Sequence, residues 1–234
     1  MYSINYEIKP IFYADEQMCK DFARLELLCD EKRGHKHNDW YKSGCEDYYI
    51  LGEQDKYRYN FVAFYDKEII GFASGNLDYD MYLASLYVNP EYHGLGIGTK
   101  LLETTEQAVS IIASNLMLFP LSTAVSFYQQ YKYNYMAGNT KTMVKKLPKN
   151  VTGVVPVFEW CDELQAKLNV KMNTDVLRNN KRQPKFVYVG KDNKIDGVAI
   201  LLPDGEKLIK LNDKQKSVAK YRKLELDWAL ESCR

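Results

Sequence analysis

The sequence predicts an α/β protein in two parts, a larger N-terminal domain over residues 1–149 and a smaller accessory α+β domain over residues 150–234. Strand-like runs alternate with amphipathic helical runs along the first part, which is the pattern of a sheet flanked by helices. Within that part, the stretch YVNPEYHGLGIGTKLLE sets three alternating glycines between a strand-like and a helix-like run. With 234 residues, 46% of them hydrophobic, the chain can bury a sizeable core.

Composition argues against several classes of protein. The net charge is only +1, without the dense basic patch typical of nucleic-acid binders. No run approaches the roughly 20 apolar residues of a membrane-spanning helix, and the N-terminus MYSINYEIKP lacks an apolar signal region. The five cysteines, which are scattered, are Cys19, Cys29, Cys45, Cys161 and Cys233. Free thiols in a reducing compartment are expected, and so is a cytoplasmic protein without nucleic-acid or membrane partners.

The elements before the glycines follow from periodicity. Residues 15–34 have a helical period that ends at Gly34. The apolar residues on one face of that helix are Met18, Phe22, Leu25 and Cys29. Residues 35–49 are expected to form a loop or a short helix. Apolar runs on both sides of YDKE predict a hairpin over 57–77, and a further strand ends at Pro90.

After the glycines, a long amphipathic helix is predicted. Its apolar face consists of Ile97, Leu101, Leu102, Ala108, Val109 and Ile112. A short buried strand follows over 116–119, and Ser122 is expected to cap another helix. The inner face of that helix consists of Ala124, Phe127, Tyr128 and Tyr131. Two strands around an Ala-Gly-Asn turn complete this part.

The second part carries no recognisable motif. A helix over 160–168, a polar connector, a hairpin over 186–202 and a short strand over 207–211 are predicted. A last helix begins at about residue 213. The residues predicted on its apolar side are Val218, Tyr221, Leu224 and Trp228. A lid, a dimerisation surface and a substrate-selecting module all remain open for this part, and a homodimer is possible.

Gly94, Gly96 and Gly98 are suited to anion binding. A helix N-terminus leaves backbone N–H groups unpaired and carries a partial positive charge, so a phosphate fits there if the backbone comes close. Glycines remove the Cβ atoms that would obstruct this approach. The alternative is a turn that only reverses the chain. Neither the dinucleotide fingerprint nor the P-loop fits, because Thr99 stands where each needs glycine.

These residues resemble the GCN5-related N-acetyltransferases, the GNAT family, over about residues 3–148. HGLGIG is similar to their loop Q/R-x-x-G-x-G/A, and TAVSFYQQYKYN resembles a later helix that carries an aromatic-Tyr pair. The resemblance implies a mixed, mostly antiparallel sheet flanked by helices, with acetyl-CoA as co-substrate. The loop residues that it implies for cofactor binding are His93, Gly94, Leu95, Gly96, Ile97, Gly98 and Thr99. His93 departs from the family at the Q/R position; an exposed histidine without a role is the alternative.

The resemblance also implies roles in acyl transfer. The central-strand residues Leu86, Tyr87 and Val88 are expected to hold the pantetheine and acetyl group, and Tyr128 to protonate the departing thiolate. Leu86 and Val88 are also suited to the core, and Tyr128 could be only a packed aromatic.

Two family positions differ in this chain. Tyr82 stands where many relatives have a strand Glu, so Asp78 and Asp80 are the candidate bases; solvated loop carboxylates are the competing explanation. Leu121 replaces a cofactor-binding Asn, for which Ser122 or Thr123 could substitute.

The expected activity is transfer of an acetyl group from acetyl-CoA to a primary amine, by direct attack in a ternary complex and without a metal. A small-molecule amine is favoured over a protein or peptide amine. The segment 40–49, rich in aromatic and acidic residues, could form the wall of a cationic acceptor pocket or pack onto the core. The rival hypothesis is a non-catalytic coenzyme A-binding module. His35 and His37 fit no zinc spacing with the nearby cysteines.

Overall fold

A computed structural model describes residues 4–54, 58–76, 82–148, 151–212 and 216–233. It contains a seven-stranded sheet in the order β1-β2-β3-β4-β5-β7-β6. These strands are β1 (Glu7–Ile11), β2 (Arg58–Tyr65), β3 (Glu68–Asn76), β4 (Tyr82–Val88), β5 (Asn115–Leu118), β6 (Asn134–Tyr135) and β7 (Met143–Lys146). Only β4 and β5 are parallel neighbours in this described sheet, and the other pairs are antiparallel. The predicted fold class is confirmed.

The four helices described in this part are α1 (Glu16–Lys32), α2 (Asp39–Gln54), α3 (Ile97–Val109) and α4 (Val125–Gln130). Helix α1 starts where the Asp15 carboxylate accepts the Met18 N–H at 2.8 Å. It stops before Gly34, which has φ +85°. Helix α2 is longer than the predicted loop or short helix. The Asn38 side chain accepts the Tyr41 N–H at 2.9 Å near its start, and Cys45 and Tyr49 are buried.

The two faces of the sheet carry different helices. On one face, α1 and α2 enclose Phe22, Tyr49 and Phe72, with the rings of Phe22 and Phe72 stacked at 4.4 Å. On the other face, α3 buries Ile97 and Leu101 against residues of β2, β3 and β5. Full burial of one such side chain stabilises the fold by about 1.5–3 kcal/mol. The predicted apolar faces of α1 and α3 are therefore the faces that pack.

A bulge in β4 opens the sheet. Ser85 pairs with Ser74 and Leu83 pairs with Gly75, so Ala84 is an extra residue in the β4 backbone. On its other side, β4 pairs with β5 at Tyr82 and Leu83, and no pairing beyond Leu83 is found among the described residues. Past the bulge, the two strands therefore leave a gap between them.

The second sheet has the order β11-β10-β9-β8 and is antiparallel throughout. Its strands are β8 (Gly153–Pro156), β9 (Lys185–Val189), β10 (Ile195–Leu201) and β11 (Lys207–Leu211), and the helices with it are α5 (Asp162–Lys167), α6 (Asp175–Asn179) and α7 (Lys216–Glu231). Strand β8 was not predicted, because its four residues are too few to show a clear alternation of apolar and polar side chains. Helix α6 lies inside the predicted polar connector.

Helix α7 packs on a different face from the predicted one. Leu226 and Leu230 are fully buried, whereas Tyr221, Leu224 and Trp228 are 71%, 58% and 77% exposed. Both sets recur at helical spacing, so periodicity alone could not choose between them. The prediction for these three residues is wrong, and the side chain of Val218 lies outside the described residues.

One hydrophobic core joins the two sheets. Tyr59 and Phe61 of β2 share a buried cluster with Val155 and Trp160 of the second part. The ring of Phe158 packs edge-on against Phe61 at 5.4 Å. Division of the chain into folding units at residues 149 and 150 stays a prediction.

None of the helices in the described ranges has the length and apolar character needed to cross a membrane.

Candidate functional site

The gap between β4 and β5 exposes part of the β4 backbone. Just past the strand, the Asn89 N–H donates to the Ile70 carbonyl of β3 at 2.8 Å. Backbone groups alternate between the two edges of a strand, so the Tyr87 N–H faces β3 while those of Leu86 and Val88 face the gap. No described strand pairs with these two donors, and donors at such an open edge can hold amide and thioester carbonyls of an extended ligand.

The glycine loop ends at the first turn of α3, beside this gap. Gly94 and Gly96 have φ of +79° and +81°, and a Cβ added to either would meet no atom within 4 Å. These two glycines are therefore needed for backbone conformation rather than for space in the unliganded structure. At Gly98 an added Cβ would lie 3.6 Å from Val88 and 3.8 Å from Phe127.

Helix α3 begins at the glycine loop, where the anion cradle is predicted. The first bond within it runs from the Lys100 N–H to the Gly96 carbonyl at 3.0 Å. The N–H groups of Ile97, Gly98 and Thr99 precede that bond and lie at the positive end of the helix dipole. Unpaired donors of this kind suit a pyrophosphate, and cofactor binding by these loop residues stays a prediction.

His93 is turned toward β4. Its Nε2 lies 2.9 Å from the Val88 carbonyl oxygen, and since a carbonyl only accepts, Nε2 donates this bond. The side chain is exposed, with Nδ1 as its second polar atom. Leu95 is half-buried and packs against the core. His93 therefore holds the entry of the loop against the strand that it follows.

Tyr131 joins the site through a contact that sequence analysis missed. Its hydroxyl lies 2.6 Å from the Thr99 Oγ1, at the first turn of α3. The ring also packs against Phe127 at 5.1 Å. The sequence indicated only that Tyr131 lies on the apolar face of its predicted helix, and gave no sign of a contact with Thr99.

Tyr128 is buried between two other aromatic rings. It is 8% exposed, with Phe127 at 5.2 Å and Tyr133 at 5.7 Å in edge-on geometry. Burial raises the pKa of its phenol, so the hydroxyl stays protonated over the physiological pH range. No hydrogen bond of this hydroxyl is found within the described ranges, which leaves a protonated donor available for a ligand.

Ser122 is exposed and does not cap a helix. It begins a short 3-10 turn, Ser122–Ala124, that leads into α4, and neither the turn nor α4 has a side-chain cap. The predicted capping role is wrong, because the chain enters α4 through that turn. Leu121, at the position of the family's Asn, is 48% exposed.

The two candidate bases Asp78 and Asp80 lie outside the described residues. The backbone of Tyr82 is described and pairs with Asn76 of β3 and Met117 of β5. Asp78 and Asp80 stay predictions.

A carboxylate on the other face of the sheet was missed entirely. The buried Tyr49 hydroxyl donates to Glu26 Oε2 at 2.5 Å and lies 3.2 Å from Ser85 Oγ on β4. Burial, and after it the Glu26 carboxylate, raise the pKa of Tyr49 well above its ordinary value. The same two causes raise the pKa of Tyr87. The one available signal was a Glu within the apolar run LELL of α1.

In the aromatic and acidic segment 40–49, most of the aromatic and acidic side chains are exposed, and Tyr49 contacts β4. Trp40 is 82% exposed, and Tyr41 stacks on His37 at 4.0 Å. The ring of Tyr48 lies 4.7 Å from the Arg58 guanidinium. Glu46 and Asp47 are exposed. Of the residues in this segment, Tyr49 is the one whose hydroxyl reaches β4.

The histidine pair HKH shows ordinary contacts. His37 Nε2 lies 2.8 Å from an Asp30 oxygen, and His35 is exposed. The described residues contain no group of three or more His, Cys, Asp or Glu side chains that could hold a metal ion.

Three solved structures illustrate what the fold is similar to. The PaiA N-acetyltransferase from Thermoplasma acidophilum, in complex with coenzyme A, is 20% identical, with a TM-score of 0.50 over 61% of this chain and 99% of that one. An acetyltransferase from Thermus thermophilus is 19% identical, with a TM-score of 0.51 over 63% of this chain and all of its own. A GNAT family acetyltransferase from Staphylococcus aureus is 16% identical, with a TM-score of 0.50 over 61% of this chain and 100% of that one. These likenesses establish the fold.

Among curated proteins, none is significantly similar in sequence. Residues 20–131 match the model of the acetyltransferase (GNAT) family, a range that includes most of α1, all of α2, β4, the glycine loop and Tyr128. Members of this family are N-acetyltransferases that use acetyl-CoA. Residues 20–131 of this chain are therefore an acetyltransferase domain of the GNAT family.

Proposed function

We propose that the protein transfers an acetyl group from acetyl-CoA to a primary amine of a small molecule, by direct attack in a ternary complex in the cytoplasm. The observation that carries this is the position of the open β4 edge. Val88 of that edge lies beside Gly98 in the first turn of α3, and Gly98 also faces Phe127, the residue before the buried Tyr128. The coenzyme A bound to the T. acidophilum protein of similar fold supports the choice of acyl carrier.

The site supplies two of the three requirements of acyl transfer. The α3 amides bind the pyrophosphate, and the β4 edge holds the pantetheine and polarises the thioester carbonyl as charge develops on its oxygen. Tyr128 donates its proton to the departing thiolate. The third requirement is removal of a proton from the acceptor, whose alkylammonium group has a pKa of about 10.

A small cationic acceptor is favoured by the face opposite α3. Helices α1 and α2 bring Glu26, Tyr49 and Tyr87 together there, a combination of carboxylate and aromatic rings that suits an ammonium group. The cofactor and the acceptor then approach β4 from opposite faces of the sheet and meet at its open edge, where the amine attacks the thioester carbonyl.

The test has two stages. Calorimetric titration with acetyl-CoA is expected to give saturable binding, and free-thiol release across a panel of amines is expected to depend on one amine class. Binding without thiol release on any small amine leads to a further assay with peptide amines. Acetylation of a peptide would show a peptide or protein acceptor, and its absence would favour the non-catalytic module. Absence of binding would show that HGLGIG is only a turn.

A further inference from the structure

We propose that Glu26 supplies the charge that holds the ammonium group of the acceptor over β4, and that its carboxylate receives the ammonium proton through Tyr49 and Ser85. This inference rests on the proposed function and names the group that removes the proton. Many relatives have a catalytic Glu on the central strand, where this chain has Tyr82. The inference assigns the role of that carboxylate to Glu26 of α1.

The hydrogen bonds define a direction for proton transfer. Carboxylates only accept, so the Tyr49 hydroxyl donates to Glu26 Oε2 at 2.5 Å. Its one proton is thereby used, and the 3.2 Å contact with Ser85 is made by the Ser85 hydroxyl donating to the Tyr49 oxygen. The chain of donors therefore runs from the strand to the helix. Ser85 Oγ, at its start, keeps lone pairs that can accept a further proton.

The start of this chain lies at the reaction centre. Ser85 follows the extra residue of the β4 bulge and precedes Leu86, whose N–H faces the gap. It is 7% exposed and points to the α1 and α2 face, where it meets Tyr49. An amine that reaches Ser85 from this face is next to the strand edge where the thioester is held.

Glu26 differs from its neighbour on the same helix. Asp30 pairs with Arg33 and His37, whereas Glu26 forms none of the salt bridges found in the part of the chain that is described. It accepts a hydrogen bond from the Tyr49 hydroxyl, and its charge raises the pKa of the nearby Tyr87 hydroxyl and Cys45 thiol. An ammonium group would supply the positively charged partner that Glu26 lacks among these described neighbours.

The titratable groups that face Glu26 come from three elements. They are Tyr41, Cys45 and Tyr49 of α2, Tyr87 of β4, and Cys29, Asp30 and Arg33 of the α1 region. Burial and then Glu26 raise the pKa of the Cys45 thiol to about 12. These hydroxyls and thiols are therefore neutral at pH 7, and Arg33 is already paired with Asp30.

The proton balance is complete. The ammonium gives one proton to Ser85 as the Ser85 proton moves to Tyr49 and the Tyr49 proton moves to Glu26. The free amine then attacks the thioester, the C–N bond forms and the C–S bond breaks. Tyr128 gives its proton to the sulfur, and the second proton lost by nitrogen restores Tyr128. Glu26 finally releases one proton to solvent.

The test uses two variants of the full chain. Glu26→Gln removes the proposed proton acceptor, and Tyr49→Phe removes the hydroxyl that connects Ser85 to it. A Gln carbonyl still accepts from Tyr49, so the fold is preserved while the charge and the proton acceptor are removed. We expect kcat/KM for the best amine to fall about 100-fold at pH 7, with the Kd of acetyl-CoA within about twofold. The deficit should shrink below about tenfold at pH 9.5, because unassisted deprotonation improves near the amine pKa of about 10. Glu31→Gln, an exposed control on the same helix, should match the wild type.

A pH-independent deficit in Glu26→Gln, or wild-type kinetics at every pH, would overturn the assignment. A second readout does not depend on turnover. Phenethylamine and phenethyl alcohol, which differ in charge but not in size, are titrated into protein saturated with coenzyme A. Wild type should prefer the amine and Glu26→Gln should lose that preference, whereas equal preference in both would overturn the role of Glu26. If wild type releases no thiol with any amine, the proposed function fails and this titration still decides the ammonium site.

Discussion

The hydroxyl of Tyr131 and the Oγ1 of Thr99 lie 2.6 Å apart and connect the end of α4 to the first turn of α3. Thr99 belongs to the cradle, and Tyr131 follows the helix that carries Tyr128. One hydrogen bond therefore couples the two elements for which we propose contacts with the pyrophosphate and the sulfur of the cofactor.

Tyr131→Phe should weaken acetyl-CoA binding about threefold to tenfold, because a lost hydrogen bond of about 1 kcal/mol loosens the first turn of α3. Calorimetry gives the Kd. Tyr135→Phe, which changes a 41% exposed tyrosine of β6, is the control and should leave the Kd unchanged. An unchanged Kd in Tyr131→Phe would mean that Thr99 holds its place without this partner.

Gly96→Val should abolish measurable acetyl-CoA binding while the protein stays folded. A β-branched residue at φ +81° is strained by about 1–2 kcal/mol, and its side chain would stand in the cradle. Gly138→Val is a matched control, since Gly138 has φ +76° and equally open surroundings in another turn. Both variants should lose similar thermal stability, and only Gly96→Val should lose binding. Tight binding by Gly96→Val would refute the cradle.

Tyr128→Phe should lower kcat about 100-fold with little change in the Kd of acetyl-CoA, because it removes a proton donor and keeps the packed ring. Tyr133→Phe provides the contrast. The Tyr133 hydroxyl donates to the buried Glu106 at 3.0 Å, so its loss should reduce stability by about 1 kcal/mol and leave kcat intact. Steady-state kinetics and chemical denaturation separate the two effects. Equal kcat in Tyr128→Phe and wild type would exclude it as the acid.

The buried cysteine thiols should lower the free energy of unfolding as pH rises above about 9. Burial raises the pKa of Cys19 and Cys29 to about 11 and that of Cys45 to about 12. Thiols with a raised folded-state pKa contribute stability that is present below the unfolded-state pKa and is lost as pH rises through the folded-state value. Each contributes about 1 kcal/mol to the loss between pH 8 and pH 10.

Urea denaturation at pH 8 and pH 10 measures this loss. Cys45→Ala should lose about 1 kcal/mol less than wild type over that interval, whatever its stability at pH 8. The same loss in both proteins would show that the Cys45 thiol does not contribute to the pH dependence.

Local signals determined much of this protein. The apolar period of α3, the strand that ends at Pro90 and the glycines between them are neighbours in the chain, so the sequence by itself located the strand, the glycine loop and the start of the helix. The same holds for α1, whose stop at Gly34 depends on one residue that adopts positive φ. Burial of Tyr128 followed from its place on an apolar helical face.

Tertiary structure decided the rest. Two apolar sets recur along α7, and contact with the second sheet selected Leu226 and Leu230 over Tyr221 and Trp228. The length of α2 depends on burial of Cys45 and Tyr49 against α1 and the sheet. The Ser85–Tyr49–Glu26 chain joins residues of a strand and two helices that no local pattern relates. Periodicity reports which side of an element is apolar, but only packing fixes which polar atoms from distant elements come within hydrogen-bond range.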